Sequence, residues 1–511
     1  MRLDTPKRNH ASLIVLYHYF HPDDVVSARL FSDLAVAARE KGLHVVAMPS
    51  VRSCHDGRAA YSRREEWEGG SIRRVWRPGW RQSSNKGRIL NALAMLVGWT
   101  WRALVTPRSK HEVMIVGTDP ILGVLVAIPW RLLRPRSTII HWCHDVYPQA
   151  AVADGVLRAD SLVVWMLNRV LRIAYRRCDV IADLGMCMRG KMLEARGEVA
   201  SSEGLVARGE VGATVGGVGL SCSVGDGEPE GLRAGGLGPG RGNLPEGLRP
   251  SACNDEVGDL GVANSCAAEN RPVQRVGPEG WRPSAHDDNE DGDCERRDLK
   301  NRFVTVTPWS LVEPESVVES DARVRAELFG TARLGLLYSG NFGRAHEFEG
   351  FLSLARRLRT DEIGLCFAGR GPRMEELRQL VDSADSNIHF AGFASEEELA
   401  LRLGAADIHL VSLRESWTGT VVPSKFFGAL AVGRPVLFVG SDRCAIAQWI
   451  RRFRVGWVLS AGDEDAVADE LRAYAADPEA QRAMKLRCWE TYGREFSRRV
   501  QIGKLLREVG G

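Results

Sequence analysis

No run of this 511-residue chain reaches the roughly 20 apolar residues that a membrane span needs. The nearest, ILNALAMLVGWTWRALV at 89–105, contains Asn91 and Arg102. It reads instead as a core helix or an interfacial one, because Trp99 and Trp101 stand beside Arg102, Arg108 and Lys110, with Arg73, Arg74, Arg77 and Arg81 upstream. The 11 cysteines, at 54, 143, 178, 187, 222, 253, 266, 294, 366, 444 and 488, include no C-x-x-C pair. Neither a zinc site nor a disulfide framework is expected, and a reducing cytoplasm is the natural compartment. An excess of one charge is also missing: 68 Lys+Arg against 65 Asp+Glu leaves +3, so no global field points to a nucleic-acid partner. The opening MRLDTPKRNHAS is polar and the apolar run at 13–16 is strand-length, so no signal peptide and no export are expected.

What is present is enough chain for two globular domains plus extra sequence. Short apolar runs at 12–19, 43–49, 113–118, 137–142 and 179–183 read as strands, with helices at 27–41, 121–133 and 161–176. A second set starts near 303, with strands at 334–339, 363–368, 388–391, 408–412 and 435–439. Its helices fall at 347–359, 373–383, 395–404 and 424–432. Each set alternates strand and helix, the pattern of a doubly wound parallel sheet. The expected fold is therefore α/β, two Rossmann-like domains facing a cleft at the carboxyl ends of both sheets.

Between the two sets, at 198–300, about a fifth of the residues are Gly, periodicity is lost, and PEGLRPSA at 245–252 returns as PEGWRPSA at 278–285. That composition reads as an expanded, disordered linker, with a partner-binding tail as its functional alternative. The domains are thus drawn at 1–197 and 301–493, and 494–511 forms a terminal helix that docks on the core or returns across the cleft.

One segment carries the densest chemistry: RESWTGTVVPSKFFGALAVGRPVLFV at 414–439. Thr418, Gly419 and Thr420 offer small side chains and backbone N–H groups where Ser424 and Lys425 open a helix, and a helix N-terminus favours anions. Lys425 adds a full positive charge. The segment reads as the diphosphate site of a nucleotide sugar.

Segments in matching order extend this reading. YHYFHPDDVVSARLFSDLAVAAREKGLHV at 17–45, VGTDPILG at 116–123, HDVYPQAAVADGVL at 144–157, YSGNFGRAHEFEGF at 338–351, FAGRGPRMEEL at 367–377, HFAGF at 389–393 and VPSKFFGALAVGRPVL at 422–437 resemble retaining glycosyltransferases of family 4, with the GT-B fold, in the branch that builds bacterial polysaccharides such as colanic acid and O-antigen. The resemblance implies metal-independent transfer of a hexosyl or N-acetylhexosaminyl group from a nucleotide-diphosphate sugar, which is a substrate rather than a cofactor. It also implies a lipid-linked or saccharide acceptor and a cytoplasmic protein resting on the inner face of the membrane.

A departing nucleoside diphosphate gathers negative charge, so the protein must supply cations and N–H donors there. Lys425 is the first choice; Arg344, in the loop Gly340-Asn341-Phe342-Gly343-Arg344, is the second. Resemblance points to Gly369, Arg370 and Gly371, with Gly392 and Phe393, for the base. In the N-terminal set, His144 and Asp145 follow a strand directly, where either orients or takes a proton from the acceptor hydroxyl. The chain departs from the family at three places. Two acidic positions hold Thr420 and Gly428, and Glu349 stands where a lysine is usual. Two alternatives therefore stay open: a non-catalytic nucleotide-sugar-binding subunit, and a nucleotide-sugar 2-epimerase.

Overall fold

In the first half of the chain, apolar pentads and hexads such as SLIVL and EVMIVG are buried along their whole length, as strands covered on both faces must be. The computed structural model describes residues 11–54, 60–80, 85–109, 111–198 and 302–510. The segment read as a linker at 198–300 lies, apart from Glu198, outside the described residues. The first half runs β1 (Ser12–Leu16), α1 (Val26–Glu40), β2 (His44–Ala47), β3 (Arg64–Trp67), β4 (Gly70–Arg73), α2 (Asn85–Val105), β5 (Glu112–Gly117), a 3-10 turn (Gly123–Val126), α3 (Ala127–Leu133), β6 (Thr138–Trp142), α4 (Gln149–Ala153), α5 (Leu162–Tyr175), β7 (Val180–Asp183) and α6 (Met186–Arg196).

Strand β8 (Arg302–Thr305) corrects the domain boundary drawn at 301. It pairs in parallel with β7 and is the outermost strand of an eight-stranded sheet ordered β3-β4-β2-β1-β5-β6-β7-β8. Asp183 fixes this edge by accepting from Gly185 N (3.0 Å), Thr305 Oγ1 (2.8 Å) and Arg189 Nε (2.8 Å). The hairpin β3–β4, antiparallel and absent from the sequence reading, is a four-residue pair rich in charge.

The second half runs α7 (Ala322–Phe329), β9 (Leu334–Asn341), α8 (Glu349–Arg357), β10 (Ile363–Arg370), α9 (Pro372–Leu380), β11 (Ile388–Ala391), α10 (Glu396–Ala405), β12 (Ile408–Ser412), α11 (Lys425–Ala431), β13 (Val436–Val439), α12 (Ala445–Phe453), β14 (Gly456–Leu459), α13 (Glu464–Ala476), α14 (Pro478–Thr491) and α15 (Arg498–Gly510). Its all-parallel sheet is ordered β11-β10-β9-β12-β13-β14. Local signals set the helix starts: Asp321 accepts from Val324 N, Ser395 and Glu398 form a reciprocal capping box, and Asp477 caps a helix with Pro478 at its first position.

The halves meet along the chain that joins them. Trp309 stacks on Trp142 and donates Nε1–H to Asp33 of α1 at 2.8 Å. Helix α15 lies against α1 and the β8 segment: Gln501 Oε1 accepts from Thr307 N at 3.0 Å, and Glu508 pairs with Arg302 at 3.3 Å.

In each sheet the strand order reverses once, between β1 and β5 in the first and between β9 and β12 in the second. Ligands of open α/β sheets bind beyond the carboxyl ends of the strands at such reversals.

Candidate functional site

At the β9/β12 reversal the chain places Lys425. Its ammonium donates to the Asn341 carbonyl at 3.0 Å, lies 5.0 Å from the Tyr338 ring centroid, and stands 3.4 Å from Nε2 of His346. The other ring nitrogen of His346, Nδ1, is 2.7 Å from the Ser412 carbonyl. A carbonyl only accepts, so Nδ1 carries the hydrogen and Nε2 is left to accept from Lys425. Burial, with Lys425 alongside, pushes His346 down to about 3, and burial pushes Lys425 down to about 8. Lys425 therefore keeps its charge at neutrality, and its partners among the described residues are a carbonyl, a neutral imidazole and an aromatic ring, none of them a carboxylate. Such a cation is prepared for an anion.

The glycine loops around it close the strand tips. A Cβ on Gly369 would sit 1.9 Å from the Gly340 carbonyl oxygen, so β9 and β10 approach here only because residue 369 carries no side chain. Asn341 ends β9, Gly343 and Arg344 follow it, and Arg370 and Gly371 lead from β10 into α9. Arg370 lies over the ring of Phe393, 4.7 Å from its centroid, and that ring is 57% exposed at the edge beside Gly392. The pair offers a flat cationic and aromatic surface at the far end of the same loop cluster.

Two expectations are corrected. The N–H groups of Thr418 and Thr420 are not available to a phosphate, since they close turns onto the Glu415 (3.0 Å) and Trp417 (2.9 Å) carbonyls. The 418–420 loop instead meets the first half: Thr420 is buried and its carbonyl accepts from Val146 N at 3.0 Å. Gly419, at φ 77°, lies so close that a Cβ would be 2.6 Å from the Cys187 carbonyl of α6. Ser424 precedes α11 without capping it, and α11 is only seven residues long. The charge of Lys425, rather than a helix terminus, is what this segment contributes. Arg344 is 66% exposed and pairs with Asp154 at 3.2 Å across the halves, so it reaches a ligand only by leaving that partner.

At the β1/β5 reversal lies a polar cavity of about 360 Å³, lined by Tyr17, Tyr19, Arg88, Asp119, Asp145 and Tyr147 among others. Thr118 Oγ1 accepts from the N–H groups of His144 (2.8 Å) and Asp145 (3.3 Å), holding both at the carboxyl end of β6. Burial, then the charge of Asp119, raises Asp145 to about 6, with Arg88 opposing. Hence Asp145 is ionised above that pH and basic enough to take a proton.

His144 does not titrate near neutrality, contrary to expectation. Burial pushes it down to about 3, its ring packs edge-on to Tyr17 and Phe31 and beside Trp142, and both ring nitrogens lack partners. A neutral imidazole is no proton relay, and with both ring nitrogens shielded from solvent it meets a sugar hydroxyl only once the surrounding packing opens.

Three features went unread in the sequence. His346 sets the orientation of Lys425. Glu347 has a buried Oε1 without partner and is raised by burial and by neighbouring Glu349, which Arg373 holds at 2.9 Å. Arg88, on α2, reaches the Asp145 cavity. The first two lie in the HEFE run, whose doubled carboxylates were the available signal. Position 428 faces α10, where a Cβ on Gly428 would contact Leu403 at 3.7 Å, so an acid there would meet packed side chains. Among the described residues no cluster of three His, Cys, Asp or Glu side chains is placed to hold a metal ion.

Comparison with known proteins bears on what such a pair of sites does. Residues 333–477 match the family described as Glycosyl transferases group 1. The chain is 21% identical over 390 residues to the probable glycosyltransferase WbjE of Pseudomonas aeruginosa, covering 75% of this chain and 72% of that one. It is 31% identical over 119 residues to the putative colanic acid biosynthesis glycosyl transferase WcaI of Escherichia coli K12, covering 23% of this chain and 29% of that one. Among solved structures, Anabaena HepE in complex with UDP superposes with a TM-score of 0.53 at 10% identity, covering 97% of this chain and 98% of that one. The fold of the chain is GT-B.

Proposed function

We propose that this chain is a group 1 glycosyltransferase that transfers a hexosyl or N-acetylhexosaminyl group from a nucleotide-diphosphate sugar to a lipid-linked saccharide, with retention at the anomeric carbon and without a metal ion, during polysaccharide assembly at the inner face of the membrane. The observation that carries the reading is the joining of the two sites. Val146, next to Asp145, donates its N–H to Thr420, five residues before Lys425, so the acceptor-side carboxylate and the donor-side cation belong to one contact.

In this mechanism the bond between the anomeric carbon and the diphosphate oxygen breaks while the acceptor oxygen bonds to the same face of that carbon. Lys425 takes the charge that builds on the leaving diphosphate, and Arg344 adds a second cation once it releases Asp154. Asp145 accepts the proton of the acceptor hydroxyl, and His144 hydrogen-bonds the sugar. Gly340, Asn341, Gly343, Gly369 and Gly371 let backbone approach the diphosphate. The base rests against Arg370 and Phe393 beside Gly392.

The absence of the two family carboxylates, at Thr420 and Gly428, favours one rival, a subunit that binds nucleotide sugar without turning it over. The deciding experiment incubates purified protein with host membranes and pooled nucleotide sugars, then reads lipid-linked products by mass spectrometry, with Lys425→Ala as control. A sugar-sized mass increment that the variant fails to make supports transfer. Nucleotide binding with no increment in either protein assigns the binding subunit, and free nucleotide sugar altered without acceptor assigns the epimerase.

A further inference from the structure

Large exposed apolar side chains are distributed very unevenly over this protein. The donor half shows Leu380, Phe393, Leu401 and Leu486, while most of the others belong to α2, α5 and their flanks. Helix α2 buries Met95, Trp99 and Ala103, and Trp99 donates Nε1–H to the Met48 carbonyl at 2.7 Å. Its opposite side leaves Val97 71% and Trp101 62% exposed. Helix α5 repeats the arrangement, with Leu171 and Ala174 inside and Leu162 (69%) and Trp165 (60%) outside.

The topology puts these surfaces together. The connection from β1 to β2 moves one way along the sheet, whereas those from β4 to β5, β5 to β6 and β6 to β7 move the other way. Right-handed crossovers then place α1 on one face of the sheet and α2, α3 and α5 on the other. Both α2 and α5 contact α3 and the turn before it, which lie between them and add Leu132, 72% exposed. The result is a continuous three-helix apolar face.

Its charge is of one sign. Neither α2 nor α5 contains an Asp or Glu; their charged side chains are Lys86, Arg88, Arg102, Arg169 and Arg172. Arg102 has Arg64, Arg73 and Arg63 close enough to depress it further after burial. No helix among the described residues is long and apolar enough to cross a membrane.

We infer that the α2–α3–α5 face lies flat on an anionic lipid bilayer, with Trp101 and Trp165 in the acyl boundary and the arginines at the phosphate level. A second copy is a poorer occupant, since a two-fold contact would set arginine against arginine. This deepens the membrane-surface reading above and rests on it for its purpose: α2 also supplies Arg88 to the Asp145 cavity, so a docked helix brings that cavity to the headgroups that carry a lipid-linked acceptor.

The test is co-flotation of the full chain with phosphatidylglycerol-containing vesicles and with pure phosphatidylcholine vesicles. Two double variants are compared, Val97→Glu with Trp101→Glu on α2 and Leu162→Glu with Trp165→Glu on α5. Each position is exposed, and unchanged melting confirms folding. Wild type is expected on the anionic vesicles only, weakening with salt, and each double variant to lose roughly tenfold or more in partition. Equal binding to both vesicle types, or binding that the α5 pair leaves intact, overturns the proposal. So does a wild-type dimer in light scattering that the variants dissociate, which gives the face to a second copy. Transfer to a detergent-dispersed acceptor is measured in parallel: partition without transfer keeps the face and removes the enzyme reading, and transfer without partition does the reverse.

Discussion

Removing the ammonium of Lys425 tests the donor site most directly, and the structure sets the size of the effect. Lys425 falls from 10.5 to about 8 because it is buried without an opposite charge, which means its charged form is disfavoured by roughly 3 kcal/mol in the empty pocket. An incoming diphosphate supplies the missing charge. Two unit charges at 4 Å attract by about 4 kcal/mol at the effective dielectric of a protein edge, and the attraction grows as the leaving group becomes more negative. Lys425→Ala should therefore lose about 2 to 4 kcal/mol of transition-state stabilisation, or roughly 30- to 1000-fold in kcat/KM. The folded protein should not suffer in proportion, since the substitution also removes a desolvated charge. What is lost is the hydrogen bond to Asn341, the long one to His346 and the contact with Tyr338, largely offset by removal of the desolvated charge, so unfolding free energy should change by about 1 kcal/mol or less. The assay is kcat/KM for donor consumption alongside a urea melt. A variant within threefold of wild type, with an unaltered melt, would refute the claim that this cation faces the reacting diphosphate.

The pH profile should be bell-shaped. Asp145, raised to about 6, must be ionised to accept a proton, so kcat/KM should climb through pH 6. Lys425, lowered to about 8, must be protonated to hold the diphosphate, so kcat/KM should fall through pH 8. Asp145→Asn should remove the acid limb, and an acid limb that survives it would show the wrong group has been chosen. Arg344→Ala should change stability by no more than about 0.5 kcal/mol, because its pair with Asp154 is solvent-exposed, yet raise the KM for donor. Asp154→Asn, which frees Arg344, should leave that KM equal or lower, and a rise comparable to that of Arg344→Ala would assign the pair a structural role. Gly369→Ala drives a methyl into the Gly340 carbonyl and should destabilise the second half by about 3 kcal/mol or more, read as a lower urea midpoint.

Elements buried on one regular face were legible in the sequence, and those defined by tertiary contact were not. The helix read at 395–404 is Glu396–Ala405 and the strand read at 408–412 is Ile408–Ser412, because Ser395 and Glu398 mark the start and IHLVS is buried throughout, with His409 and Ser412 its only polar residues. Strand β8 escaped because RFVT is only four residues long and its partner β7 lies more than a hundred positions earlier. The hairpin β3–β4 escaped because REEW has the composition of a solvated loop. In the candidate site, Lys425 at the start of α11 was legible from the sequence, but its burial against Asn341, Tyr338 and His346 was not. The directions of the 418 and 420 N–H groups were not legible either, because whether a loop amide faces a ligand or closes its own turn depends on dihedral angles that TGT permits either way. The low value of His144 was equally hidden, being set by burial against Tyr17 and Phe31 from two other segments as well as beside its near neighbour Trp142.

The contact between Val146 and Thr420 explains why the loops that carry Asp145 and Lys425 are ordered as they are. On the first half, Thr118 holds the N–H groups of His144 and Asp145, so Val146 is presented with its own N–H outward. On the second, the turns that consume the N–H groups of Thr418 and Thr420 leave the Thr420 carbonyl to accept from Val146. The loop that looked like a phosphate cradle is thus a coupling element. Its left-handed Gly419 lets it lie against the Cys187 carbonyl, and any side chain there would separate the halves before it touched a ligand. Five residues on, the same segment starts α11 and delivers Lys425 to Asn341 and His346. A displacement of the halves at Thr420 therefore moves Asp145 and Lys425 relative to each other, and the roles proposed for both depend on this backbone hydrogen bond and glycine among the contacts that join the halves.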